Sequence, residues 1–514
     1  ACLGAGHWRE GNYGLGGLIS IVAKVMAEQS LKDKTVKGTF WSAADNIASQ
    51  GITFLIGIVL ARLLSPEEYG LIAIITIFIN IFNSIVEGGF SNALIRKNDA
   101  NDTDYNTVFW CNLGISFVLC LVLFLSAGPI ASFFDRPKLK PLTEVMSLIV
   151  VINAFAIIQK TLLVKTIDFK AQTRVSLKSS IISGIVGIGM AFSGCGVWSL
   201  VGQQFSRQLL NSVLLWVYNT WRPKRVFSAK SFRELFGFGW KLLVSTLIAT
   251  TWNEIYQVVI GKFYSPVTLG QYTRALQFGS IFSMNINGVI SRVTYPVLSK
   301  IQDEKERLKL AYRRIIRCTM LITFSCMLGL AGCAKSFVYV LVGSKWMECV
   351  PMLQILCFNL MMYPLHSINL NMLQVQGRSD LFLKLEIIKK CVGIIPILLG
   401  IFVNIYWMLL GSVFTGFFAY YLNAYYSGPL LGYSVWEQIR DVLPSFLVAL
   451  GMSLIIYFIG MIPMKPYLLL ILQIAVGVTV LVAVCKTMKL QEYEELKEIV
   501  LINIRRLING RNKD

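Results

Sequence analysis

The sequence predicts an all-α integral membrane protein of about fourteen transmembrane helices, built as two six-helix lobes of like orientation followed by two further helices. Three observations carry this. Of the 514 residues, 55% are apolar and 15% charged, whereas soluble chains hold roughly 25% charged residues. Apolar runs of bilayer-spanning length recur from residue 42 to residue 485 with no polar domain between them. Segments 200 residues apart also share one pattern of side chains.

Residues 1–25 are Gly-rich and lack a starting Met, while Met26 opens a polar stretch of cytoplasmic character. They are read as a non-native or disordered extension. A helix crosses the hydrocarbon with about 20 mostly apolar residues, because nothing there satisfies an open backbone. Such runs occupy 42–63, 70–90, 107–127, 142–159, 175–194, 198–219, 240–260, 272–294, 315–334, 349–372, 387–404, 406–427, 443–462 and 467–485. The organisation expected is a first lobe over 26–222, a second over 223–430, a helix pair over 431–486 and an amphipathic tail over 487–514. In that tail Leu490, Tyr493, Leu496, Val500, Ile504 and Leu507 share one stripe, the signature of an interfacial helix.

Loops retained in the cytoplasm are rich in Lys and Arg. With the N-terminus inside, inner segments hold 30 of the 48 Lys and Arg by these bounds and outer loops hold 7. Both termini are therefore expected in the cytoplasm, with an even number of spans. The net charge of +20 follows from topology and attraction to anionic lipid, not from a nucleic-acid partner. The cysteines lack CxxC spacing and read as small buried hydrophobes. With only His7 and His366 in the chain, a His-based metal site is not expected. No loop between spans is long enough for a soluble catalytic domain.

The repeat pairs LARLLSPEEYG (residues 60–70) with IGKFYSPVTLG (residues 260–270), matching Ser65, Pro66 and Gly70 with Ser265, Pro266 and Gly270, and Arg62 with Lys262. Asn80, Asn83, Glu87, Gly88 and Ser91 continue the register onto Ser280, Ser283, Asn287, Gly288 and Ser291. Spans 1 and 2 thus recur as spans 7 and 8, which predicts a pseudo-twofold along the membrane normal and a substrate path between the lobes. Polar stripes obey the same offset. Asp45, Asn46, Ser49, Gln50 and Thr53 line one face of span 1, answered by Ser245, Thr246, Thr250 and Asn253 in span 7. In span 2 Asn80, Asn83 and Glu87 are answered by Gln277, Ser280, Ser283 and Asn287 in span 8. Polar groups facing lipid are costly, so these four helices are expected to wall a central cavity. The competing reading makes the uncharged ones glue between helices. Among charged residues at depth, Arg274 and Glu254 are placed for the cavity, and Arg207 stands beside Gln203 and Gln204.

The segments LARLLSPEEYGLIA (residues 60–73), GFSNALIRKND (89–99), LGQYTRA (269–275), RVTYPVLSKIQDEKERL (292–308) and QGRSDLFLKLEIIKK (376–390) resemble signature segments of Wzx-type polysaccharide flippases. These belong to the multidrug/oligosaccharidyl-lipid/polysaccharide superfamily, and the likeness is to its colanic acid and teichuronic acid exporter branch. The resemblance implies two six-helix lobes arranged as a V. It also implies transfer of an undecaprenyl-diphosphate-linked oligosaccharide from the cytoplasmic to the periplasmic leaflet of a bacterial inner membrane. The chain departs from many relatives in one respect: Tyr256 stands six positions before the basic residue of the repeated motif, where they carry an acid, and the nearest acid is Glu254.

A lipid-linked glycan needs hydrogen bonds for its hydroxyls, since each one moved into hydrocarbon unpaired costs about 2–7 kcal/mol. It also needs cations for its diphosphate and a lateral opening for its tail. Arg274 and Arg207 are candidates for the diphosphate, because guanidinium pairs with phosphate through two hydrogen bonds. Arg62 and Lys262, at equivalent helix ends, either receive the diphosphate after flipping or contact lipid phosphates. Asp45, Glu87 and Glu254 are candidates for coupling to Na+ or H+, and no other cofactor is expected. Partners are the lipid-linked glycan, membrane lipids and other polysaccharide assembly proteins. The rival functions are a drug or cation antiporter of the same superfamily and, less favoured, a membrane glycan polymerase or ligase.

Overall fold

The computed structural model describes residues 50–87, 89–97, 99–498 and 501. Asp45, Asn46 and Ser49 of the expected cavity lie outside the described residues. The first half of the chain contributes α1 (Gln50–Leu63), α2 (Pro66–Glu87), α3 (Phe90–Arg96), α4 (Asp102–Leu125), α5 (Ala127–Phe133), α6 (Leu139–Lys165), α7 (Phe169–Phe192) and α8 (Trp198–Tyr218). The second half contributes α9 (Ala229–Phe263), α10 (Pro266–Lys300), α11 (Lys305–Val342), α12 (Cys349–Leu360), α13 (Tyr363–Val375), α14 (Ser379–Val392), α15 (Ile394–Phe402), α16 (Ile405–Tyr425) and α17 (Ser427–Leu431). Then follow α18 (Val435–Ile459), α19 (Pro466–Thr487) and a last helix, α20, over 491–498.

Among the described residues, ten helical segments are long and apolar enough to cross a membrane. Of the other four expected spans, the first is described only over its α1 part, and the remaining three coincide with α8, α10 and the α14–α15 pair. Of these, α8 and α10 have full length but carry polar rows such as Gln203, Gln204, Arg207 and Gln208, or Gln271, Arg274 and Gln277. The chain is a multi-pass membrane protein.

Helix breaks fall where backbone chemistry puts them. The α12–α13 break directly precedes Pro364, a residue that disfavours helical geometry before it. Between α14 and α15, Gly393 lets Trp252 approach so closely that a Cβ would lie 2.7 Å from its ring. The ends of α2 and α10 are duplicates. Ser65 caps α2 in a reciprocal box, its N–H donating to Glu68 Oε2 at 2.7 Å, and Ser265 caps α10 by accepting the Thr268 N–H at 3.1 Å. Pro66 and Pro266 open the two helices, a position where a missing N–H costs nothing.

Packing follows the repeat. Helices α2 and α10 cross at the centre, α9 packs on α2, and α10 also packs on α12 and α13. On the other side α1 meets α10 through the edge-to-face pair Phe54–Phe278 at 5.9 Å. Helices α18 and α19 pack on α11. The tail expected as an interfacial helix is described as far as Glu498 and at Leu501. Its described part, α20, docks on protein: Glu492 is 1% exposed, pairs with Arg317 at 2.9 Å and accepts from Ser445 Oγ at 2.7 Å. Leu490, Tyr493 and Leu496 pack with Leu321, Val448 and Cys485. These three residues of the stripe have the α11–α18 surface as partner, and Val500, Ile504 and Leu507 lie outside the described residues. All cysteines from Cys111 to Cys485 are free thiols.

Candidate functional site

At the end of the molecule that carries the Pro66 and Pro266 turns, the two halves interlock. A Cβ on Gly70 would sit 1.8 Å from the Pro266 carbonyl oxygen, and one on Gly270 would sit 1.9 Å from the Pro66 carbonyl oxygen. This reciprocal contact is what a pseudo-twofold produces, and only glycine fits it. The paired cations obey the same symmetry. Arg62 donates to the carbonyls of Leu341, at 2.7 Å, and Val340 in the last turn of α11. Lys262 donates to the Phe133 carbonyl at the end of α5 and pairs with Asp135 at 3.1 Å. Each cation meets the negative pole of a helix from the opposite half. Lys345 Nζ to Leu64 O at 2.8 Å and Trp346 Nε1 to Ala61 O at 2.8 Å complete the seal.

Arg274 belongs to this seal and not to a cavity. It is 2% exposed, and its guanidinium lies 4.4 Å from the Tyr69 ring centroid, 5.1 Å from Trp346 and 5.8 Å from Phe278. Its Nη1 donates to Gln277 Oε1 at 2.7 Å. Enclosed by three rings, it holds α10 against α2 in this conformation. Arg62 and Lys262 are likewise engaged with helix ends, so none of these three meets the expectation of a free diphosphate contact here.

Among the described residues, three polar hollows away from the seal adjoin one another. The first, about 530 Å³, is lined by Thr53, Thr76, Asn80, Asn83, Lys160, Gln172, Ser176, Gln203, Gln204, Arg207, Gln208 and Asn211. The second, about 380 Å³, shares Lys160, Gln208 and Asn211 with the first and adds Glu87, Ser91, Asn92, Asn153 and Thr246. The third, about 280 Å³, shares Thr53 and Arg207 with the first and adds Gln50, Gln277 and Ser280. Shared lining residues make them neighbouring parts of one polar region, the chamber, built mainly from α1, α2, α6, α7 and α8. Behind its wall, Thr53 Oγ1, Asn83 Oδ1 and Gln172 Oε1 are buried without a hydrogen bond among the described residues.

The halves also touch across the chamber. Asn80 Nδ2 on α2 donates to Glu254 Oε1 on α9 at 2.9 Å, and Gln257 Nε2 donates to Glu254 Oε2 at 2.6 Å. Asn285 Nδ2 on α10 donates to Gln50 Oε1 on α1 at 2.9 Å.

A model of the family described as polysaccharide biosynthesis protein matches residues 59–351. The chain belongs to that family. Among characterised relatives, the lipopolysaccharide biosynthesis protein WzxC of Escherichia coli (strain K12) is 25% identical over 445 residues, covering 84% of this chain and 89% of WzxC. The succinoglycan biosynthesis transport protein ExoT of Rhizobium meliloti (strain 1021) is 27% identical and covers 63% of this chain and 66% of its own. The fold is that of the solved lipid II flippase MurJ in its inward closed conformation, with a TM-score of 0.72 at 16% identity over 88% of this chain and 99% of MurJ. The helical architecture expected from the superfamily resemblance is thus the one this polysaccharide biosynthesis protein adopts.

Of the residues singled out in the sequence, Gln50, Asn80, Asn83, Glu87, Arg207, Gln277 and Ser280 line the chamber, and Glu254 reaches it through Asn80. Asn253 is exposed and lines none of the three hollows, nor does Asn287. The reason for Asn253 lies in α9, a 35-residue helix whose buried residues are confined to Leu235, Gly239, Val259, Ile260 and Gly261 near its ends. Its middle carries exposed side chains on more than one face. Sequence reasoning missed Lys160, Gln172, Ser176, Gln208 and Asn211. The signal for the last two was present, since Gln204, Arg207, Gln208 and Asn211 form a stripe at spacings of three and four on α8.

Proposed function

We propose that this chain flips a polyprenyl-diphosphate-linked oligosaccharide from the cytoplasmic to the periplasmic leaflet of a bacterial inner membrane by alternating access, with both termini cytoplasmic. It is a transporter and not an enzyme. The observation that carries the reading is the chamber: a cavity walled by amides, hydroxyls and two cations, inside a molecule whose outer faces are apolar. Sugars would meet the amides of Asn80, Gln204 and Asn211 on its wall, and the diphosphate would meet Arg207. Lipid remains the solvent of the polyprenyl tail, which never enters water. Residues 26–222 and 223–430 are read as the two rocking lobes, with Arg274, Arg62 and Lys262 holding the periplasmic end shut. Other polysaccharide assembly proteins would receive the product. Glu254 and Glu87 are the described carboxylates placed to bind Na+ or H+ as coupling ions, with Asp45 a further candidate.

The decisive experiment uses purified protein in vesicles loaded with a labelled undecaprenyl-diphosphate oligosaccharide. Relocation of the label to the opposite leaflet without covalent change supports the proposal. Chain growth would indicate a polymerase or ligase. Absence of movement, together with resistance to toxic cations on expression in cells, would indicate an antiporter.

A further inference from the structure

Among the described residues, two basic side chains line the chamber: Arg207 on α8 and Lys160 on α6. Lys160 stands where the first and second hollows meet, together with Gln208 and Asn211. Its direction is set by its neighbour. Gln159 is fully buried, donates to the Trp221 carbonyl at 3.2 Å and offers its own carbonyl to Asn219 Nδ2 at 2.9 Å. That contact fixes the rotation of α6 and leaves Lys160 to the chamber.

Nearby cations have partners. Lys165 donates to the carbonyls of Lys97 at 2.7 Å and Leu94 at 3.3 Å, at the end of α3. Lys97 pairs with Asp104 and with Glu234, each at 3.1 Å. Lys178 donates to the Tyr218 hydroxyl at 3.1 Å. Lys160 is exposed, and no described residue pairs with it or hydrogen-bonds to it. The second half contributes to these walls Thr246, Gln277, Ser280, Ile281 and Met284, all uncharged.

We propose that Lys160 is the first seat of the substrate's diphosphate, from which the anion passes to Arg207; the inference rests on the flippase reading and places the anion wholly on the first half. A lysine ammonium on a flexible stem suits capture, and a rigid guanidinium fork suits holding. Gln208 and Asn211, beside Lys160, offer amides to the first sugar. Asn211 and Arg207 are one turn apart on α8, so the step along that helix is roughly 6 Å.

The test measures binding to the full-length protein in lipid nanodiscs of undecaprenyl diphosphate, undecaprenyl monophosphate and undecaprenol. The wild type is expected to prefer the diphosphate. Lys160→Gln is expected to weaken diphosphate binding about tenfold or more and to leave undecaprenol binding unchanged. Lys160→Arg should retain most of the affinity, and its binding shows that the site is intact. Lys165→Gln should lower the melting temperature and leave diphosphate affinity as it was. Wild-type diphosphate affinity in a folded Lys160→Gln protein overturns the role of Lys160 and leaves the flippase reading standing. A wild type that binds undecaprenol as tightly as the diphosphate overturns both.

Discussion

Glu254 illustrates how a single side chain ties chemistry to movement. Both carboxylate oxygens accept hydrogen bonds, one from Asn80 on α2 and one from Gln257 on its own helix, so the group links the two halves beside the chamber. An ion taken up there competes with the Asn80 contact and alters how firmly α2 and α9 are joined. Glu254→Gln keeps an acceptor for Asn80 and removes the charge. Transport driven by an imposed Na+ or pH gradient is expected to fall at least about fivefold, with folding unchanged, because a charged hydrogen bond contributes more than a neutral one. A gradient response equal to that of the wild type would exclude Glu254 from coupling. At this scale the sequence was a partial guide. Ionisable residues at depth announced Arg207, Glu87 and Glu254, because charge in a hydrophobic run has few innocent explanations. It misled at Arg274, since a guanidinium enclosed by Tyr69, Trp346 and Phe278 looks the same in sequence as one facing water; the rings come from three separate segments. Lys160 was hidden for another reason: near the end of an apolar run it counted as one more retained cytoplasmic cation.

Among elements, the duplicated turns carry the clearest correspondence between sequence and structure. The spacing of Ser65, Pro66 and Gly70 against Ser265, Pro266 and Gly270 was legible at an offset of 200, and the interlocked backbones explain why serine, proline and glycine stand there. Gly270→Ala would place a methyl 1.9 Å from the Pro66 carbonyl, which no rotamer relieves. The variant is expected to open this end, raising several-fold the labelling of a reporter cysteine at Thr268 by a membrane-impermeant maleimide in a background without native cysteines. Arg62→Gln and Lys262→Gln should act in the same direction and more weakly, each losing about 0.3–1 kcal/mol of helix-dipole contact. The tail is a second element where burial decides. Replacing Glu492 by Gln leaves Arg317 facing a neutral partner, and with Glu492 1% exposed and Arg317 24% exposed the loss is expected near 3 kcal/mol. Faster tryptic cleavage at Lys486 and Lys489 would report it, whereas a wild-type cleavage rate would mean that α20 is held by its apolar stripe alone. The amphipathic pattern of the tail was readable, but the docking of α20 on α11 and α18 was not, because Arg314, Arg317 and Ser445 lie far away in the chain.

For the whole molecule, alternating access requires that the two ends of the interface between halves differ in strength. At the Pro66 end the halves are joined by two backbone interlocks, by Arg62 and Lys262 on opposing helix ends, by Lys345 and by the buried Trp346 indole. At the other end Gly89 and Gly239 touch, Arg96 lies 4.3 Å from the Phe238 ring centroid, and Lys97 pairs with Glu234, whose side chain is 56% exposed. An ion pair so open to solvent contributes about 0–1 kcal/mol, so among the described residues this end rests on the Gly89–Gly239 contact, on Phe238 beneath Arg96 and on the hydrogen bonds that tie Lys224 and Ser228 to Asn106 and Thr107 of α4. It is expected to open first and more often, which admits a substrate to Lys160 and Glu87 before the Pro66 end yields. Reporter cysteines at Ser231 and at Thr268, labelled in separate proteins, test the order. Ser231→Cys should react at least several times faster than Thr268→Cys in the absence of substrate, and the charge reversal Glu234→Lys should widen the gap by setting two cations against each other. Equal rates at the two positions would mean that neither seal dominates, and the direction of loading would then have to come from the bilayer and the gradient across it.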